Sequence, residues 1–215
     1  MQAVAAKSRV DLTVMLVSHD AFRRDLGRLE RAAADPSSDA PDARRRVLTG
    51  WEIFKSQLRI HHEGEDRDLW PRMARGLGDR PDVRSALREL EAEHAEINPL
   101  LAAIDTAMAN REAAPSQLGQ AVGAFGDALE AHLKHEEEDG LPYVAEAVSD
   151  AEWKGFLADQ RKNLGLSGAA EFFPWLLDRA TPDDAARVAA IMPPPMKLIL
   201  NRMWVPAYQS RGTWD

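Results

Sequence analysis

The stretch HHEGEDRDLWP, residues 61–71, recurs in outline as HLKHEEEDGLP, residues 132–142. Both copies have His at the first position and Glu at the fifth, and in both a Pro follows six residues after that Glu. Side chains four residues apart on an α-helix lie one above the other on the same face. Each copy therefore predicts an imidazole and a carboxylate that point to one place.

The first 148 or so residues are predicted to form four long helices, because apolar residues recur there at alternating spacings of three and four. Breaks rich in Pro, Gly, Asp and Ser separate these helices at residues 35–42, 76–82 and 110–116. Short connections make neighbouring helices antiparallel. The sequence thus predicts an all-α fold, an up-down-up-down four-helix bundle with a C-terminal helical extension.

Polar residues interrupt the apolar stripes of all four predicted helices. The polar residues on these stripes are His19, His61, Glu65, His94, His132 and Glu136. Two ionised glutamates in one core need a compensating charge, which a metal dication would supply. For the pairs His61/Glu65 and His132/Glu136, the alternative is a simple His/Glu contact on an exposed helix face. That alternative does not explain why both pairs lie on the predicted buried face. The pattern therefore favours a metal site inside the bundle.

The composition narrows the classes of function. The chain has no Cys, which excludes disulfides and thiolate ligands and suits a cytoplasmic location. A formal net charge of −8 is a poor match for nucleic acid or for an anionic membrane surface. No apolar run approaches the roughly 18 residues of a membrane span. No acid/base pair outside the predicted metal site stands out as catalytic.

The ligand types narrow the metal. Imidazoles and carboxylates without thiolate do not match a closed tetrahedral zinc site, but they suit two octahedral first-row ions bridged by carboxylates. Two iron ions are expected, ahead of manganese or zinc.

The set of motifs resembles the hemerythrin-like, or HHE cation-binding, domain family. The matching stretches are SHDAFRRDL around His19, HHEGEDRDLWP, LEAEHAEI around His94, and HLKHEEEDGLP. The resemblance spans about residues 9–148 and implies a first domain, residues 1–149, with a non-heme diiron centre completed by an oxo or hydroxo bridge. By position it implies one iron on His19 and His61, the other on His94 and His132, and bridging by Glu65 and Glu136.

The sequence departs from the oxygen-carrying hemerythrins on the third helix. Those proteins place two His one turn apart there, whereas Leu90 and Asn98 flank His94 at that spacing. One His fewer would leave the coordination more open to water, peroxide or NO. His62 lies at the flank of the stripe and is a candidate for an additional ligand, or for a group that supports one.

Residues 150–215 lie outside the resemblance and hold four of the six Trp and six of the thirteen Pro. Short helices are predicted at about residues 150–163, 168–179, 182–191 and 195–205. A cap packed on the bundle is favoured for this second domain. An interface with a protein partner or a second copy is one alternative, because Trp, Met and Arg are enriched in interfaces. An amphipathic membrane contact is the other.

Three functions remain open from the sequence. The first is a diiron protein that binds or reacts with O2, peroxide or NO. The second is an iron- or oxygen-responsive sensor whose C-terminal extension engages a partner. The third is an enzyme that disproportionates peroxide, like a catalase, or oxidises a small molecule.

Overall fold

The structure is a computed structural model that describes residues 10–110 and 115–214 of the chain. The regular elements in these residues are all helical, so the predicted all-α helical bundle is confirmed. Residues 1–9 of the predicted first domain and residues 111–114 of the third predicted break lie outside the described residues. The helices are α1 Thr13–Ala34, α2 Pro41–Gly64, α3 Trp70–Leu77, α4 Pro81–Ala109, α5 Pro115–His135, α6 Leu141–Ala147, α7 Asp150–Leu177, α8 Pro182–Ala190, α9 Pro194–Ile199 and α10 Val205–Gln209.

Local sequence explains where many of these helices begin. Several start at a Pro, whose fixed φ suits the first turn and whose missing N–H has no intrahelical partner to lose there. Helix α7 begins instead with a capping box, in which Ser149 and Glu152 satisfy each other's backbone N–H groups. A short 3-10 helix, Pro36–Asp39, links α1 to α2.

Three π-helical turns extend helices of the chain, and each ends two residues before a Pro. They are Glu65–Leu69 before Pro71, Glu136–Gly140 before Pro142, and Leu200–Trp204 before Pro206. A Pro inside a helix clashes with the preceding turn and cannot donate a hydrogen bond, and a wider turn relieves both problems. The first two π turns join α2 to α3 and α5 to α6. They begin at the Glu of each repeated motif.

The helices of the first 148 residues form an antiparallel bundle, as their contacts show. Along α1, His19 contacts Glu137 while Arg23, one turn later, contacts Glu130, so α1 and α5 run in opposite directions. The other neighbouring pairs of helices are antiparallel as well. For α1 and α2 the contacts are His19–His61 and Phe22–Phe54. For α2 and α4 they are Trp51–Asp105 and His62–His94, and for α4 and α5 they are Glu89–His135 and His94–His132.

Two apolar clusters fill the bundle, one on each side of the polar residues of the stripes. The larger cluster is centred on Phe22, Trp51, Phe54, Phe125 and Leu129. The smaller cluster contains Leu69, Trp70, Met73, Val83, Leu90, Leu141 and Val144. The polar residues lie between the two clusters, so they are held in the middle of the bundle and away from both of its ends.

Residues 150–214 pack against the bundle. Trp175 is fully buried in the larger apolar cluster, where its ring lies 5.0 Å from that of Phe22, and its indole N–H donates to the buried Asp25 at 2.8 Å. Arg28 binds both Asp25 and Asp178, each at 2.8 Å. These contacts join the extension to α1 through a tilted aromatic contact and a largely buried ion-pair network.

The predicted break between residues 163 and 168 is confirmed. The segment α7, Asp150–Leu177, consists of two helices that meet at a kink at Gly165, a non-helical residue with φ 63° and ψ −174°. Residues 195–205 were predicted as one helix, and this region is helical throughout, as α9, a π turn that accompanies Pro206, and α10. In the described part of the chain, none of the helices has both the length and the hydropathy required to cross a lipid bilayer.

Gly165 supports the first testable prediction. Its φ and ψ lie in a region that is essentially restricted to Gly, although a Cβ there would meet no atom within 4 Å. Gly165→Ala is expected to lower the free energy of unfolding by about 1–3 kcal/mol through backbone strain alone. Urea denaturation followed by circular dichroism measures this change.

Gly155→Ala is the matched control, because Gly155 lies in the same helix and its Cβ would also meet nothing within 4 Å. A regular helical Gly replaced by Ala should leave stability unchanged or raise it by up to about 1 kcal/mol. Equal effects of the two substitutions would contradict the assignment of strain to position 165.

Candidate metal centre

Seven side chains converge between the two apolar clusters. They come from the four long helices of the bundle, α1, α2, α4 and α5, and from the π turns that follow α2 and α5. The structure brings together all six polar residues of the stripes and adds His62. They fall into two groups, and within each group one potential ligand atom per residue lies within 4.8 Å of the others. The first group is His19, His61, Glu65 and Glu136; the second is His62, His94 and His132.

The first group is built around the two glutamates. His19 Nε2 lies 3.3 Å from Glu136 Oε2, and His61 Nε2 lies 3.1 Å from Glu65 Oε1. Glu65 also faces the second group, since its Oε2 lies 3.6 Å from His94 Nε2. Glu136 Oε2 lies 4.0 Å from His61 Nε2 and 3.9 Å from His132 Nε2. Each carboxylate is thus placed between the two groups of imidazoles.

The second group includes a residue that the apolar stripe did not single out. His62 is buried, and its ring stacks on that of His94 with centroids 3.9 Å apart and an interplanar angle of 11°. His94 Nε2 lies 3.2 Å from His132 Nε2. Both of these rings donate their Nδ1–H to carboxylates, so a close contact between their Nε2 atoms needs a proton or a metal ion between them.

The polar atoms that face the centre have few partners of their own. Nε2 of His19, His61 and His62 and both carboxylate oxygens of Glu65 and Glu136 are buried without a hydrogen bond of good geometry. Buried polar groups are nearly always paired, because leaving one unpaired costs free energy. Imidazole nitrogen and carboxylate oxygen atoms are ligands that first-row metal ions prefer. The residues present therefore fit a metal ion at this centre.

Electrostatics at the centre leave two imidazoles neutral. Burial is the largest influence on His61 and on His62, and it lowers both pKa values well below 6.5, with nearby imidazoles adding to the effect. A neutral imidazole keeps the lone pair that a metal needs. For His19, burial is again the largest influence and lowers the pKa, but Glu136 and Glu137 together outweigh it and raise the pKa to about 9.

The two buried glutamates respond in opposite directions. Burial and the neighbouring charge of Glu136 raise the pKa of Glu65 well above its usual value. For Glu136 burial is the largest influence and acts in the same direction, but the charge and hydrogen bond of His19, together with His132 and His94, outweigh it and lower the pKa of Glu136. A dication in contact with both carboxylates would favour the ionised form of each.

A second layer of carboxylates fixes the orientation of three imidazoles from behind. His19 Nδ1 donates to Glu137 at 2.8 Å, His94 Nδ1 donates to Asp66 at 2.9 Å, and His132 Nδ1 donates to Glu93 at 2.9 Å. An ionised carboxylate accepts hydrogen bonds but cannot donate one, so Nδ1 of each imidazole must carry a proton. Each contact thereby directs Nε2 toward the centre. Glu93 also accepts from His135 Nδ1 at 2.8 Å.

The sequence interpretation missed these three supporting residues, although their positions follow a simple rule. Asp66 and Glu137 come directly after Glu65 and Glu136 in the two copies of the motif, and Glu93 comes directly before His94. An acidic neighbour of a predicted ligand is therefore the signal that could have identified them.

A comparison with known families agrees with this geometry. The family model for the Hemerythrin HHE cation binding domain matches residues 10–144, which is more than half of the chain. The chain belongs to this family. The match confirms the resemblance inferred from the four sequence motifs. It also confirms the prediction that the chain is a helical, cation-binding protein. No curated protein and no solved structure shows significant similarity to the chain.

The supporting carboxylates of this HHE domain lead to a second prediction. Glu93→Gln is expected to weaken metal binding about 10- to 100-fold, because the amide cannot accept a charge-assisted hydrogen bond from both His132 and His135. Competition with a chromophoric chelator measures the affinity.

Glu91→Gln is the control, because Glu91 is an exposed residue on the same helix. It should leave metal affinity unchanged. An equal loss in both variants would show that net charge, and not the orientation of the imidazoles, sets the affinity.

Proposed function

We propose that this chain holds two iron ions in its bundle and binds or reacts with O2, peroxide or NO. His19 and His61 would hold one iron, and His62, His94 and His132 the other, with Glu65 and Glu136 shared between them. The observation that carries the proposal is the convergence of seven side chains, five of which have buried Nε2 or carboxylate oxygen atoms without a hydrogen bond.

The two groups differ in the number of imidazoles. With Glu65 and Glu136 shared, the group of His62 would supply five protein ligands and the group of His19 would supply four. The sequence alone predicted two imidazoles for each iron, so His62 changes that balance. For octahedral ions, the iron on His19 and His61 would have more positions left for a small ligand.

Apolar side chains flank this centre on two sides. Phe22 is fully buried and its ring lies 5.2 Å from that of His61, while Trp70 and Leu90 belong to the apolar cluster on the other side. When bound, an iron pair supplies redox chemistry and coordination positions for O2, peroxide or NO. The surrounding side chains would hold the ligands in place and limit the access of bulk water.

Metal analysis and spectroscopy test this function. The purified chain loaded with Fe(II) under anaerobic conditions is expected to retain two iron ions per chain, and its visible absorption should change on addition of NO, O2 or peroxide. His61→Ala and Glu136→Ala should each lose iron, because they remove direct ligands. Full iron content in both variants, or no spectral response to any of the three ligands, would contradict the proposal.

His62 allows a sharper test of the ligand assignment. In the second copy of the motif Leu133 occupies the position that His62 occupies in the first, and Leu133 is also buried. His62→Leu therefore introduces a side chain that the bundle already accommodates in the matching place. The variant should fold and bind one of its two iron ions more weakly, because one group loses one of its three imidazoles.

His135→Leu is the control, because His135 belongs to the other motif but to neither group of potential ligands. It should keep both iron ions. If His62→Leu also keeps both with unchanged affinity, His62 is not a ligand and only four imidazoles bind the iron pair.

A further inference from the structure

A cavity of about 490 Å³ lies between the bundle and the C-terminal extension. One wall comes from α1 and α2, where Val14, Phe22 and Ile60 contribute; the opposite wall comes from α7 and the segment after α8, where Phe156 and Met192 contribute. Its size falls in the range of small-molecule sites, which is about 300–1,000 Å³. Most of its lining side chains are apolar, so it suits an apolar ligand.

The inner end of this cavity is formed by two residues of the candidate metal centre. His61 and Glu65 both line it. His61 is the most exposed of the seven converging side chains, at 10% of its side chain, and it lines the cavity. The cavity therefore reaches the group with fewer imidazoles, which is the one with more coordination positions left open.

Two cationic residues lie at the outer end. Arg161 and Lys162 line the cavity and are exposed to solvent, so they stand where it opens. Within the described residues neither side chain forms an ion pair with a carboxylate, whereas at least ten other Arg residues do. The only acidic residue of the lining is Glu65, which is buried in the candidate metal centre. The charges of the cavity thus favour an anionic group at the opening.

We propose that this cavity binds a monocarboxylic acid with an unbranched apolar tail, its carboxylate at Arg161 and Lys162 and its tail directed toward His61 and Glu65. At about 30 Å³ for each non-hydrogen atom, as in liquid water, the cavity holds roughly 12–16 atoms. Decanoic acid matches this size. The binding itself is independent of iron, whereas the position of the tail beside a metal rests on the proposed function.

Calorimetric titration of the full-length protein with decanoate tests the proposal. Decanoate is expected to bind once per chain with a dissociation constant below about 0.1 mM, and 1-decanol, which has the same tail without the charge, should bind more weakly. Arg161→Glu together with Lys162→Glu should weaken decanoate binding at least about tenfold and leave decanol binding unchanged.

The control is Lys154→Glu together with Arg202→Glu, which makes the same change of charge at exposed residues of the extension outside the cavity lining. This pair should bind decanoate like the unmodified protein. Equal weakening in both double variants would show a general charge effect and overturn the role of the opening. Equal affinity for decanoate and decanol would overturn it as well.

Two further variants test the place of binding. Ala169→Phe and Ile60→Trp add bulk to the cavity from opposite walls, and both should reduce decanoate binding while circular dichroism stays native. Undiminished binding to both folded variants, or no binding to the unmodified protein below 1 mM, would overturn the proposal. Two variants are used because either one alone could disturb packing.

The iron-loaded protein tests the direction of the tail. Decanoate should shift the visible absorption of the iron centre, and the shift should disappear in Ala169→Phe. Binding without any shift would place the tail away from the metals. If the protein takes up no iron under loading conditions but still binds decanoate, the proposed function is contradicted and the cavity proposal stands. The two failures can therefore be told apart.

Discussion

The burial of two carboxylates, Glu65 and Glu136, at the centre of the bundle is the constraint on which the rest of the structure depends. An uncompensated charge in such a place costs several kcal/mol, and the apolar clusters on either side of the carboxylates have no charged group to compensate it. Compensation must come from protons or from cations held by the same residues. The imidazoles that surround both carboxylates are the groups that can hold a cation there.

The contacts that orient these imidazoles also set the positions of the helices relative to one another. Asp66, in the π turn after α2, binds His94 on α4; Glu93 on α4 binds His132 on α5; and Glu137, in the π turn after α5, binds His19 on α1. Each hydrogen bond therefore joins two neighbouring helices of the bundle. If one helix slipped by a turn, about 5.4 Å, its hydrogen bond to the neighbouring helix would break and its imidazole would no longer reach the centre.

The repeated motif predicted the bundle and the converging residues, because helical periodicity marks the buried face wherever one stripe dominates. It did not predict the burial of His62, since successive residues of a helix are separated by about 100° and both edges of a wide core face can be buried. The π turns also escaped prediction, although each Pro that accompanies one is visible in the sequence. The contacts of the extension depend on tertiary packing that periodicity does not encode.

The difference between the two copies of the motif gives the centre its asymmetry. His62 in one copy and Leu133 in the other place a third imidazole in one group only, so the group of His19 and His61 has fewer imidazoles. The extension covers the bundle on that side: Trp175 packs on Phe22, and Phe22 packs on His61. The cavity beside His61 exists because α7 and the segment after α8 leave a gap there while sealing the apolar core. The extension therefore packs on the bundle and forms one wall of the cavity that reaches the half of the candidate metal centre with fewer imidazoles.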